Sequence, residues 1–142
     1  MNIRTILNTI SFIILFTAFI LVCLVFYWLV YPYKVIEIKD PIFPVMNKVV
    51  KQGTILIFTS NNCKYMNIIA KTSRIFVDDL MHYVPQTTSN VRKGCGKINI
   101  SVIVPETLPS GKYHLQNIYE YKVNPIRTIT IIKDTEEFLV VE

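Results

Sequence analysis

With 142 residues and a net charge of +5, the chain is long enough for one domain. Its hydrophobic fraction of 51% exceeds that of a soluble domain, and the excess is concentrated in one segment. Acidic residues are interspersed among the 15 Lys and Arg, without the aromatic–basic alternation of nucleic-acid binders, so no nucleic-acid partner is expected.

Residues 1–9 read as a short tail carrying Arg4, and residues 10–32 as a transmembrane anchor. No charged residue occurs from Thr5 to Tyr33. About 21 helical residues give roughly 31 Å, the thickness of a bilayer core. Tyr27, Trp28, Tyr31 and Tyr33 gather at one end, where amphipathic rings favour the headgroup layer, and Pro32 stops the helix. The lipid bilayer is therefore an expected partner. A cleaved signal peptide fits poorly, because the apolar run is too long and bulky residues stand where cleavage would fall. A lipoprotein reading at Cys23 lacks the small residue before the cysteine, and a pilin reading lacks an early glutamate. No ionisable group and no G-x-x-x-G interrupts the span, which argues for neither an ion path nor a dimer face.

Flanking charges leave orientation open: Arg4 on one side faces Lys34 and Lys39 on the other, offset by Glu37 and Asp40. Two arguments favour a cytoplasmic N-terminus and an extracytoplasmic remainder. A first hydrophobic segment commonly serves as a signal-anchor, and Cys63 and Cys95 form an even pair suited to an oxidising compartment. A bridge between them closes a loop of about 33 residues, worth roughly 3–4 kcal/mol in the chain-entropy model. Two free buried thiols are the alternative.

Residues 33–142 carry short β-branched and aromatic runs between turn signals. Strands are expected at 33–39, 54–59, 66–70, 73–77 and, as a short edge, 80–84. Residues 42–45, with Pro44, read as a kink between two halves of the first strand. A long loop is expected over 85–96, followed by 97–104, whose Ile98, Ile100, Val102 and Val104 share one face. Strands at 112–123, 126–133 and 138–141 complete the chain. About seven strands without a long helical period imply an all-β, antiparallel sandwich behind one helix.

Leu108-Pro-Ser-Gly-Lys-Tyr113 has the L-x-x-G-x-Y spacing of a tyrosine corner, built on Leu108, Gly111 and Tyr113. Gly111 would supply backbone freedom to the turn, and Tyr113 would bury its ring while its hydroxyl bonds back upstream. With Cys63, Cys95 and the run 121–128, this segment resembles the small immunoglobulin-like sandwiches of membrane-anchored or virion-associated proteins in bacteria and tailed phages. The resemblance implies a fold and no catalytic residues. Antibody-type domains bridge strands B and F around a core Trp. Here the second cysteine precedes the expected strand E and Trp28 belongs to the anchor, so a bridge stapling loops is expected instead.

Chemistry-bearing patterns are sparse. His82 and His114 fall on different strands, and no H-E-x-x-H, C-x-x-C, P-loop or G-x-S-x-G occurs, so neither metal, cofactor nor enzymatic activity is expected. Asp78-Asp79 reads as a turn or a salt bridge to Arg74, and Asn99-Ile-Ser101 as a mid-strand sequon. Less Arg4, the charge of +5 leaves +4, with Arg92, Lys93 and Lys97 around Cys95. The expected function is non-enzymatic recognition or assembly at the envelope, through the loop holding Asn90, Arg92 and Lys93 and the 60s loop, on a partner protein. A phage-encoded envelope protein is one version. The alternative is a structural subunit of a membrane complex, held by its helix.

Overall fold

A computed structural model describes residues 3–142. Two compact units divide the described residues: 3–33 with 124–127, and 34–123 with 128–142.

In the first unit, α1 (Ile3–Val30) contains a stretch, Ile6–Val30, long and apolar enough to cross a membrane. Its apolar side chains face outward all around, which in water would be strongly unfavourable. The Thr17 hydroxyl donates to the Ile13 carbonyl at 2.8 Å, so this polar group is satisfied within the helix. Tyr31 N donates to Tyr27 O at 3.0 Å, and Pro32, lacking an N–H, then ends the helix. The last carbonyls are taken by the 124–127 turn. Asn124 Nδ2 donates to Trp28 O (2.9 Å), and Arg127 Nη1 to Leu29 O (2.9 Å) and Tyr31 O (2.8 Å).

The second unit is mostly β, in two sheets. One has the order β1 (Ile36–Ile38), β3 (Ile55–Lys64), β6 (Gly94–Ile103), antiparallel throughout. The other has the order β2 (Val49–Lys51), β9 (Phe138–Val141), β7 (Gly111–Asn124), β4 (Ala70–Val77), β5 (Met81–Ser89), and β8 (Arg127–Asp134) also pairs with β7.

The expectation of a wholly antiparallel sandwich is corrected here, because β2 runs parallel to β9. The cause is a sheet switch at 41–45. Pro41 and Pro44 offer no N–H to a ladder, so strand pairing lapses and the chain crosses over without reversing direction. The crossing is pinned by Phe43 N to Asp134 O (2.9 Å) and Thr59 N to Pro44 O (3.0 Å). Phe43, fully buried, stacks on Phe58 with centroids 5.6 Å apart.

Strand β5 is longer than the short edge expected at 80–84, and the long loop at 85–96 shrinks to 90–93. Thr72 pairs with Thr87 and Arg74 with Val84, so Pro85 and Gln86 both oppose Ser73. That bulge absorbs the proline, and the strand continues to Ser89. Strand β3 likewise runs past the expected end at Thr59 to Lys64, because β1 pairs with residues 62–64. The segment 66–69 is not strand; β4 starts at Ala70.

Burial divides the inner faces along their length. Leu56, Phe58, Phe76, Val104, Leu108, Tyr113, Leu115, Phe138 and Val140 form a dry core, with the Phe76 ring edge-on to Tyr113 and Phe138. Further along, the inward positions become Ser60, Asn62 and Lys64 on β3, Thr72 and Arg74 on β4, and Asn117 on β7.

Candidate functional site

Residue parity builds the site. On β3, Leu56, Phe58, Ser60, Asn62 and Lys64 alternate onto the inner face. On β7, Tyr113, Leu115, Asn117, Tyr119 and Tyr121 do the same, and all five are buried. On β6 the inward series fades from Val102, which is buried, to Ile100 and Ile98, which are half-buried. This fading marks where the sheets stop filling the space between them. A cavity of about 300 Å³ lies there, bounded by Ile36 and Ile38 of β1, Ile98 and Ile100 of β6, Arg74 of β4 and Tyr119 of β7. Asn62 and Tyr121 reach it as well.

Arg74 is the single ionic side chain on its wall. Nε donates to Asn117 Oδ1 at 3.3 Å and Nη1 to Thr87 Oγ1 at 3.2 Å, both neutral acceptors. Among the described residues no carboxylate pairs with it. Burial pushes its pKa down, and the neighbouring Tyr119 offsets this in part. Burial raises Tyr119 and Tyr121 to about 12 each, so both hydroxyls stay protonated at neutral pH. Lys64, buried on the same face of β3, donates from Nζ to Val91 O at 2.7 Å. Burial lowers its pKa too.

That Lys64 bond tethers the 90–93 connection, which holds three of the residues singled out in the sequence. Asn90, Arg92 and Lys93 are exposed there. A shallower recess next to the cavity is lined by Arg92, Lys93, Cys95 and Gly96, and shares Asn62, Val91 and Ile98 with it. Cys63 and Cys95 are disulfide-bonded. They are directly paired residues of β3 and β6, with Cα atoms 3.9 Å apart. The bridge therefore ties two strands of one sheet and does not staple the two loops expected from sequence, because both cysteines lie within strands.

No protein-family model matches this chain, and no curated protein does. Among solved structures it is similar to a Niemann-Pick type C2 protein from Japanese carpenter ant, at 9% identity and a TM-score of 0.39, covering 75% of this chain and 97% of that one.

The other singled-out residues lie apart from the cavity. Tyr113 is buried and its hydroxyl donates to Pro109 O at 3.0 Å, while Leu108 is buried beneath the turn. Gly111 does not use the backbone freedom expected of it: its φ is not positive, and a Cβ there would meet the Tyr113 ring at 3.4 Å, close to an ordinary contact. Tyr27, Tyr31 and Tyr33 form a chain of rings with centroids 5.1 and 4.9 Å apart, beside Trp28. Asp78 accepts from Leu80 N at 2.6 Å, a bond that holds its carboxyl below the usual range, and it lies 4.0 Å from His82 Nε2. It makes a turn, without the ion pair to Arg74. His82 and His114 sit on strands separated by β4. Among the described residues no His, Cys, Asp or Glu cluster is arranged to hold a metal.

Sequence reading missed Arg74 and Lys64 as inward cations. For Lys64 the signal was parity with Leu56 and Phe58, hidden because Ser-Asn-Asn looks like a turn. For Arg74 the signal was its place two residues before Phe76.

Proposed function

We propose that this is a single-pass membrane protein with a cytoplasmic N-terminus, presenting an extracytoplasmic immunoglobulin-like sandwich for recognition or assembly at a cell envelope, without enzymatic activity. The observation that carries this reading is the Cys63–Cys95 disulfide in a chain that also holds the 25-residue apolar stretch Ile6–Val30. Structural disulfides persist in oxidising compartments, and a charge-free helix of that length matches a bilayer.

Strand order supports the immunoglobulin-like assignment. With β1, β3 and β6 taken as strands A, B and E, the other sheet follows as the displaced second half of A, then G, F, C and C′. The Tyr113 hydroxyl bond then falls at the start of strand F, where such a corner belongs. The disulfide departs from the antibody pattern by joining B to E. The phage-type envelope protein remains the concrete version offered by the sequence resemblance.

Partner contact is assigned to the exposed 90–93 connection, with Asn90, Arg92 and Lys93 as the contacting residues. The competing reading, a structural subunit held through its helix, rests on the apolar side chains that α1 exposes on all sides. A photo-crosslinking residue placed at Arg92 or at Val22, in native membranes, separates the two. Protein adducts formed from position 92 support recognition by the domain. Adducts formed from position 22 alone overturn it in favour of the helix-held subunit.

A further inference from the structure

We propose that the cavity between the sheets is a binding site for a small anionic amphiphile, a carboxylate or similar oxyanion on a short apolar body. At ~30 Å³ per water-sized group, its volume of about 300 Å³ takes roughly ten heavy atoms. That is the low end of small-molecule sites; its wall is mixed, with Ser60, Asn62, Asn99, Ser101 and Tyr121 beside the apolar residues.

The chemistry of the wall sets the ligand's two ends. Ile36, Ile38, Ile98 and Ile100 give apolar surface, and the two β6 residues remain half-buried where Val102 is packed. Arg74 gives the charge. Its guanidinium is held in place by Asn117 and Thr87, which occupy Nε and one Nη1 proton, and among the described residues Nη2 has no hydrogen-bond partner. A planar fork with free donors suits an oxyanion, and a partly buried cation without a counter-anion is costly until one binds. No Asp or Glu lines the cavity to compete. Lys64, on the facing sheet, does not line the cavity; its Nζ donates to Val91 O, so Arg74 supplies the charge alone. The inference does not depend on which side of a membrane the domain faces, so it stands or falls separately from the proposed function.

The test uses the full chain in phosphatidylcholine nanodiscs, titrated calorimetrically with octanoate and with neutral octanamide against empty discs. The expected result is saturable one-to-one octanoate binding, with octanamide roughly tenfold or more weaker, as befits a charge-assisted bond. Arg74→Gln should bring octanoate down to the octanamide level, and Ile100→Trp, which fills the cavity, should remove both. Equal binding of the two probes by the wild type overturns the proposal, as does no saturable octanoate heat above empty discs. This comparison needs no variant to fold. Discs containing phosphatidylglycerol separate the sources of the anion. Undiminished octanoate binding there assigns the site to a soluble acid, and competition overturns that assignment in favour of a lipid headgroup.

Discussion

Tyr113 works through ring and hydroxyl: its ring meets Phe76 and His82 edge-on at 6.5 and 6.0 Å, and its hydroxyl bonds to Pro109 O and interacts with Asp78. Tyr113→Phe keeps the ring contacts and removes the hydroxyl's bonds to Pro109 O and Asp78. The expected loss is about 1 kcal/mol in urea unfolding, with the fold retained. Tyr119 and Tyr121 make a sharper case for pH. Their pKa values near 12 exceed the ordinary value of 10, so ionisation is easier in the unfolded chain. Their contribution is complete below pH 10 and is lost as pH rises from 10 toward 12, at most roughly 2–3 kcal/mol for each. Unfolding curves across that window should show the decline, and Tyr119→Phe should roughly halve it, leaving the part due to Tyr121. A wild-type profile level up to pH 12 would contradict the burial described here.

At the scale of the elements, the sheet switch packs against β3 and the disulfide joins β3 to β6. Phe43→Ala empties a fully buried position stacked on Phe58, and should cost about 3–5 kcal/mol by chemical denaturation. The Cys63→Ser/Cys95→Ser pair releases a cross-link spanning 32 residues and should cost about 3–4 kcal/mol, with faster amide exchange at the start of β6. What was legible beforehand follows the range of the interactions. The Ile98–Val104 alternation is local and identified β6, and the kink at Pro44 is local and separated β1 from β2. Leu108 and Tyr113, five residues apart, likewise carried their own signal. The parallel pairing of β2 with β9 joins residues some 90 positions apart and left no trace in either short strand. Pro85 read as a strand breaker because its bulge exists only against Ser73. The cavity needed both sheets, so Arg74 looked like any surface cation.

At the scale of the whole molecule, an apolar helix and a disulfide-bonded domain occur in one chain. The helix is long and apolar enough to cross a bilayer, and structural disulfides persist where thiols are oxidised. Under the proposed function, the two together put the domain on the extracytoplasmic side. The most direct measurement is a thiol-alkylation shift on intact native membranes, denatured with and without prior reduction, using a Cys23→Ser variant so that only Cys63 and Cys95 report. The account predicts no shift without reductant, a two-thiol shift after it, and a chain that stays with the membrane through alkaline extraction. Free reactivity of both cysteines without reductant would contradict it, and would turn the domain toward the cytoplasm.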